Sequence, residues 1–149
     1  MNNTRKPVYL RVYNLTKHNR ILKLLGMAAY HTVVSVNGQE YLYLGGDQMG
    51  TGVTNENDEH VDNLKKEILV GYTILTEREI DTIIREMAFD FSQKKYSLIK
   101  NNCNHFTDAL CRKLCNKGIP LWINRLSRFA EQFPILVPKS FKDPANKFQ

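Results

Sequence analysis

The chain has 149 residues, 42% of them apolar and 24% charged, with a formal net charge of +6. That is the length of one ordinary domain, enough to bury about two-thirds of its unfolded surface without disulfides or a structural metal. The composition excludes a disordered chain, a collagen-like chain and a coiled coil, and no apolar run approaches the roughly 20 residues that span a bilayer.

Val8, Leu10 and Val12 alternate with Tyr9, Arg11 and Tyr13, which predicts a strand. The stretch 14–26 carries Ile21, Leu22, Leu24 and Leu25 and stops at Gly26, a pattern for a short helix. His31 to Val36 is rich in β-branched residues, Asn37-Gly38 is a tight-turn pair, and Glu40 to Leu44 alternates again, so a hairpin is expected with its turn at 37–38. Residues 45–63, with four glycines and many Asn and Asp, read as a loop of nearly twenty residues, a length that usually has a functional reason. Ile68 to Ile74 reads as another strand. Thr76-Glu77-Arg78-Glu79 matches a capping box, and Ile80, Ile83, Ile84, Met87, Ala88 and Phe91 follow at helical spacing, predicting a helix over 77–92. Tyr96 to Lys100 reads as short and extended. Phe106, Leu110 and Leu114 share one face of a helix over 103–116, with Gly118 as its stop. Trp122, Leu126, Phe129, Ala130 and Phe133 mark a third helix over 121–132. Pro134, Pro138 and Pro144 make 134–149 a tail on a domain of residues 1–133. Strands with one early helix, then mostly helices, give an α+β fold with an antiparallel sheet rather than a doubly wound one.

Charge is segregated along the chain: residues 1–39 carry +6, residues 40–92 carry −8 and residues 93–149 carry +8. The basic blocks hold no zinc-finger spacing, no ribonucleoprotein aromatic motif and no unbroken basic run, so they read as solvated poles that orient a charged partner, not as a nucleic-acid site. The N-terminus MNNTRKPVYL lacks an apolar signal core, and three cysteines are an odd, low count. Reduced thiols in a cytosolic or nuclear compartment, with no membrane association, are the expectation.

The segment Asn101-Asn102-Cys103-Asn104-His105-Phe106 carries the chemistry. Asparagine is a favoured N-cap, which puts Cys103 in the first turn of the helix. There the helix dipole and free N–H groups lower a thiol's pKa and stabilise a developing oxyanion. A small buried core thiol is the alternative. A thiol nucleophile wants an imidazole within hydrogen-bond reach. His105 lies two positions from Cys103, so on a helix the two side chains diverge by about 200°. His18 sits in a basic polar stretch and His60 in the acidic loop, both solvated settings, whereas His31 opens an apolar strand that can aim an imidazole rigidly. A hydrogen-bonded core histidine is the other reading of His31. Zinc held by Cys103, His105, Cys111 and Cys115 fails on geometry, since one straight helix cannot surround an ion with four ligands; Cys111 and Cys115 read as packing, and no metal is expected.

The strings Tyr30-His31-Thr32-Val33-Val34, Glu40-Tyr41-Leu42-Tyr43-Leu44-Gly45-Gly46, Tyr96 through Phe106, and Ile119-Pro120-Leu121-Trp122-Ile123-Asn124-Arg125-Leu126, taken in order, resemble the PPPDE family of permuted-papain-fold peptidases, which includes DeSI-type deSUMOylating isopeptidases. The resemblance spans roughly residues 7–130. It implies a circularly permuted papain-like fold and a catalytic pair that maps onto His31 and Cys103. It also implies a cysteine isopeptidase acting on conjugates of SUMO, ubiquitin or a similar modifier, without a cofactor, and a homodimer whose cleft lies near the interface. The backbone N–H of Cys103 would supply one oxyanion donor, and a side-chain amide of Asn101 or Asn102 is a candidate for another, in competition with N-capping. The loop 45–63 departs from the family pattern, so substrate choice transfers least. A protein thioesterase using the same pair and a non-catalytic binding module are the competing functions.

Overall fold

The computed structural model describes residues 4–14, 30–46, 48–55 and 64–136. The expected helix at 14–26 lies outside them, as do most of the acidic half of the long loop and the chain after 136.

Five strands form one antiparallel sheet: β1 (Lys6–Asn14), β2 (Tyr30–Val36), β3 (Gln39–Tyr43), β4 (Val53–Thr54) and β5 (Leu64–Thr73), in the spatial order β4-β3-β2-β1-β5. The alternation of β1 is read out directly: Val8, Leu10 and Val12 are fully buried, while Arg11 on the opposite face pairs with Glu40 of β3 and with Glu67 of β5 at 2.8 Å. The β2–β3 hairpin turns at Asn37-Gly38, whose φ angles of +51° and +75° explain why Asn and Gly stand there.

Three α-helices follow among the described residues: α1 (Glu77–Met87), α2 (Cys103–Cys115) and α3 (Arg125–Gln132). The capping box at the start of α1 forms as expected: Glu79 N–H donates to Thr76 Oγ1 and Thr76 N–H donates to Glu79 Oε2. α1 ends four to five residues earlier than its periodicity suggests. Phe91 is still buried, but residues 88–91 turn off the helix so that Phe91 O can accept the Gly52 N–H and Ser92 can bridge to Thr51. α2 stops at a left-handed Asn116 (φ +56°), two residues before Gly118. α3 starts at Arg125 rather than 121, because Trp122 is used before the helix begins, edge-on to the Tyr30 ring at 5.2 Å. Of the stretch expected to be extended, Tyr96 is, but residues 98–100 form a tight turn around which Ser97 and Asn101 exchange backbone hydrogen bonds of 3.0 and 3.1 Å.

The first half of the expected long loop is structured. Leu44 N–H donates to Gly52 O, Gly52 N–H to Phe91 O, Gln93 N–H to Gly50 O and Gly46 N–H to Gln93 O, so residues 44–46 and 50–52 are sewn to each other and to the segment 91–93. Backbone approaches this close explain the glycines: a Cβ at position 52 would stand 2.3 Å from Leu44 O. α2 packs across β2, β3 and β5, and its Phe106, Leu110, Cys111 and Leu114 close one core with Val8, Leu10, Val12, Val34 and Tyr43.

Candidate active site

The turn at Ser97–Asn101 delivers the chain to the start of α2. Asn102, in extended backbone (φ −106°, ψ −178°), caps that helix: its Oδ1 accepts from Asn104 N–H at 2.9 Å and from His105 N–H at 3.0 Å. Cys103 is therefore the first residue of the helix, and it is buried at the positive end of the helix dipole. The helix start is clamped to β2 by polar bonds rather than by apolar packing alone. Asn104, fully within the protein, donates through Nδ2 to Tyr30 O at 3.0 Å and accepts through Oδ1 from Thr32 Oγ1 at 2.7 Å; Thr107 Oγ1 lies 2.7 Å from the same threonine hydroxyl.

That clamp brings His31 to the thiol. Burial alone pushes the Cys103 thiol up. The charge of His31, its ring hydrogen bond, the Thr32 N–H and the Tyr96 hydroxyl outweigh burial and hold the thiol below the ordinary cysteine value. The other two cysteines behave in the opposite way. Burial pushes Cys111 up to about 12, and Cys115 is also raised by burial. Three chemically equal side chains are thus set apart by position alone, one thiol held low and two raised.

The amide candidates are placed elsewhere. Asn102 Nδ2 donates to Leu98 O at 2.9 Å and to Asn124 Oδ1 at 3.1 Å. Asn101 Nδ2 donates to Asp90 O at 3.1 Å and to Lys95 O at 3.2 Å. Both side chains hold loops together, and their amide protons are spent on carbonyls. Residues that sequence reasoning passed over are Thr32, Tyr96 and Asn104. Asn104 and Thr107 had one available signal: at i, i+3 they share a face of α2 with the apolar Cys111 at i+7, where buried polar groups need partners.

His105 points away from the thiol and completes the cap. Its Nδ1 accepts the Asn102 backbone N–H at 3.1 Å, and its Nε2 lies 3.3 Å from Asn124 Nδ2 at the start of α3. Burial lowers its pKa, against the opposing pull of Glu131 and Asp108. A protonated Nδ1 can no longer accept the Asn102 N–H and keeps only Asn102 Oδ1, at 2.8 Å, as a partner. Because the folded value is depressed, the cap's contribution is present above the unfolded histidine value, about 6.5, and is lost as pH falls from there through the folded value. The melting temperature of the wild type should accordingly drop more between pH 7.5 and 5.5 than that of His105→Gln, which keeps an acceptor for the Asn102 N–H but does not titrate. Parallel melting curves would refute this assignment.

Residues 6–141 match the family model described as "PPPDE putative peptidase domain". The chain belongs to this peptidase family. Its papain-like α+β fold is the one described above. A DeSI-like protein of Arabidopsis thaliana is 31% identical over 138 residues, covering 91% of this chain and 62% of the relative. A desumoylating isopeptidase 1 homolog of Caenorhabditis elegans is 33% identical over 146 residues, covering 92% of this chain and 44% of the relative. The DeSI-like protein sdu1 of Schizosaccharomyces pombe is 32% identical over 136 residues, covering 87% and 68%. The chain thus spans about half to two-thirds of the length of the relatives it matches.

Proposed function

We propose that this protein is a cysteine isopeptidase that removes SUMO from protein lysines, with Cys103 as nucleophile and His31 as its proton-transfer partner. The observation that carries the reading is the contrast among the cysteines: a buried thiol ought to be raised, as Cys111 is, yet Cys103, though raised by burial, is lowered overall by the His31 charge and hydrogen bond, the Thr32 N–H and the Tyr96 hydroxyl. The desumoylating name of the nematode relative supports the choice of modifier. In this mechanism the thiolate of Cys103 attacks the carbonyl that follows the modifier's terminal Gly-Gly. The carbonyl π electrons move onto oxygen, beside the N–H of Cys103. On collapse the C–N bond breaks and the lysine nitrogen leaves with its electron pair, taking a proton from His31. Water, deprotonated by His31, then hydrolyses the thioester and frees the thiol.

The test uses SUMO and ubiquitin, each ending in an electrophile in place of its last glycine, with a fluorogenic long-chain acyl thioester alongside. Wild type should be captured covalently by the SUMO probe at Cys103, Cys103→Ala should not, and acyl turnover should be negligible. Capture by ubiquitin alone would move the assignment to that modifier. Rapid acyl hydrolysis with capture of neither would overturn the isopeptidase reading in favour of a protein thioesterase.

A further inference from the structure

Asn104 bonds to both neighbours of His31. Its Nδ2 donates to Tyr30 O at 3.0 Å, and its Oδ1 accepts from Thr32 Oγ1 at 2.7 Å. Only the amine end can face a carbonyl oxygen, so the orientation of the amide is fixed. The same Oδ1 lies 3.7 Å from the Cys103 sulfur, which in turn lies 4.0 Å from Tyr30 O. One amide thus touches the residue before His31, the residue after it, and the thiol. Thr32 is held a second time, by Thr107 Oγ1 at 2.7 Å. Tyr30 is held at its ring by Trp122 and at its hydroxyl by Lys65 Nζ, 2.9 Å away. Farther along α2 the contacts with the sheet are apolar, through Phe106, Leu110 and Leu114. Apolar contacts hold two elements together without a preferred direction, whereas a hydrogen bond sets both length and angle. A buried amide with its partners stabilises a fold little more than apolar groups of the same shape would. Its place beside the thiol therefore points to geometry rather than to stability.

Resting on the reading of Cys103 and His31 as the reacting pair, we propose that Asn104 is the positioning residue of that pair: by bonding to Tyr30 and to Thr32 it fixes how far the His31 ring stands from the Cys103 sulfur. Asn104 exchanges no proton; the proton passes between Cys103 and His31. The titratable side chains that face the thiol are His31 on β2 and Tyr96 ahead of α2. Burial and the nearby sulfur oppose ionisation of the Tyr96 phenol, so near neutral pH the state of the thiol reports the approach of His31.

The readout is the pH midpoint of iodoacetamide alkylation at Cys103, followed by mass spectrometry, with urea unfolding as the measure of stability. Asn104→Ala should raise that midpoint by about one unit, the lower end of what an opposite charge at close range does to a titrating group. The sign is informative. Oδ1 accepts from the thiol and favours its neutral form, so losing that oxygen alone would move the midpoint down; a rise is the mark of a displaced imidazole. In a His31→Ala background the same substitution should add less than about 0.3 unit, because two changes that act through one group do not add. Thr32→Val keeps the shape of the side chain and removes only the O–H on Oδ1. It should shift the midpoint in the same direction, and it carries the test where Asn104→Ala does not fold. Thr107→Val removes a hydroxyl of the same network that reaches neither Tyr30 nor the amide group; it should lower the urea midpoint and leave the alkylation midpoint nearly in place. An unmoved midpoint in Asn104→Ala and Thr32→Val, an equal shift with and without His31, or a shift as large in Thr107→Val overturns the proposal and leaves His31 in its role. A His31→Ala midpoint equal to that of wild type overturns it together with the reading of the pair.

Discussion

His31→Ala will raise the pH at which Cys103 becomes reactive and will cut turnover of a modifier conjugate by about 10³–10⁴-fold, the usual cost of losing the base of a nucleophile–base pair. The sign follows from the balance at the thiol. Burial raises Cys103; the His31 charge and hydrogen bond, together with the Thr32 N–H and the Tyr96 hydroxyl, lower it further than burial raises it. Without the imidazole only the Thr32 N–H and the Tyr96 hydroxyl remain against burial, so the thiol should move up toward the raised condition of Cys111. Following iodoacetamide labelling of each cysteine by mass spectrometry across pH 5–10 checks this. In wild type Cys103 should be labelled first at pH 6–7, well ahead of Cys111 and Cys115. In His31→Ala that lead should vanish at neutral pH. An unchanged labelling profile would remove His31 from the reaction.

Phe106→Ala should be the most damaging single change to the fold. Phe106 is fully buried, with its ring 5.3 Å from Phe91 and 6.2 Å from Tyr43. It joins α2 to the segment that follows α1 and to β3. Truncating a buried phenylalanine costs about 3–5 kcal/mol, from lost transfer energy and from the cavity left behind. For a domain of this length that corresponds to a fall of roughly 10–20 °C in Tm. Urea unfolding should show a lower midpoint with an unchanged slope. A loss below about 1 kcal/mol would mean that the aromatic cluster can collapse into the gap and does not hold α2 in place.

What was legible in the sequence was whatever local chemistry decides. The Asn37-Gly38 turn, the Thr76–Glu79 capping box, the alternation of β1 and the cap at Asn102 all stand where their residue types put them. The elements that shifted are those where tertiary bonding overrode the local pattern. α1 has the periodicity to run to Phe91 but gives up its last turn to backbone bonds with Gly52 and Thr51. Trp122 has helical spacing with Leu126 and Phe129 but is drawn onto Tyr30 before the helix begins. Around Cys103 the same division holds. A cap followed by a thiol is a pattern of neighbours, visible in a string of letters. The approach of Tyr96 depends on how 44–52 and 91–96 lie against each other, and the fastening of Asn104 to Tyr30 and Thr32 spans more than seventy residues. Neither leaves a periodic trace.

The strand order β4-β3-β2-β1-β5 has a consequence for how the protein comes off the ribosome. β1 is made before the other described strands, yet it lies between β2 and β5, and α2, which covers the sheet, is made after all five of them. His31 emerges 72 residues before Cys103, on the order of 4–14 s earlier at ordinary rates of synthesis. During that interval the imidazole has no thiol to act on. When Cys103 appears, it is an ordinary cysteine until Asn102 caps the helix and Asn104 fastens it to β2. On the role proposed for Cys103, its lowered thiol belongs to the finished fold, set by the same docking step that closes the core.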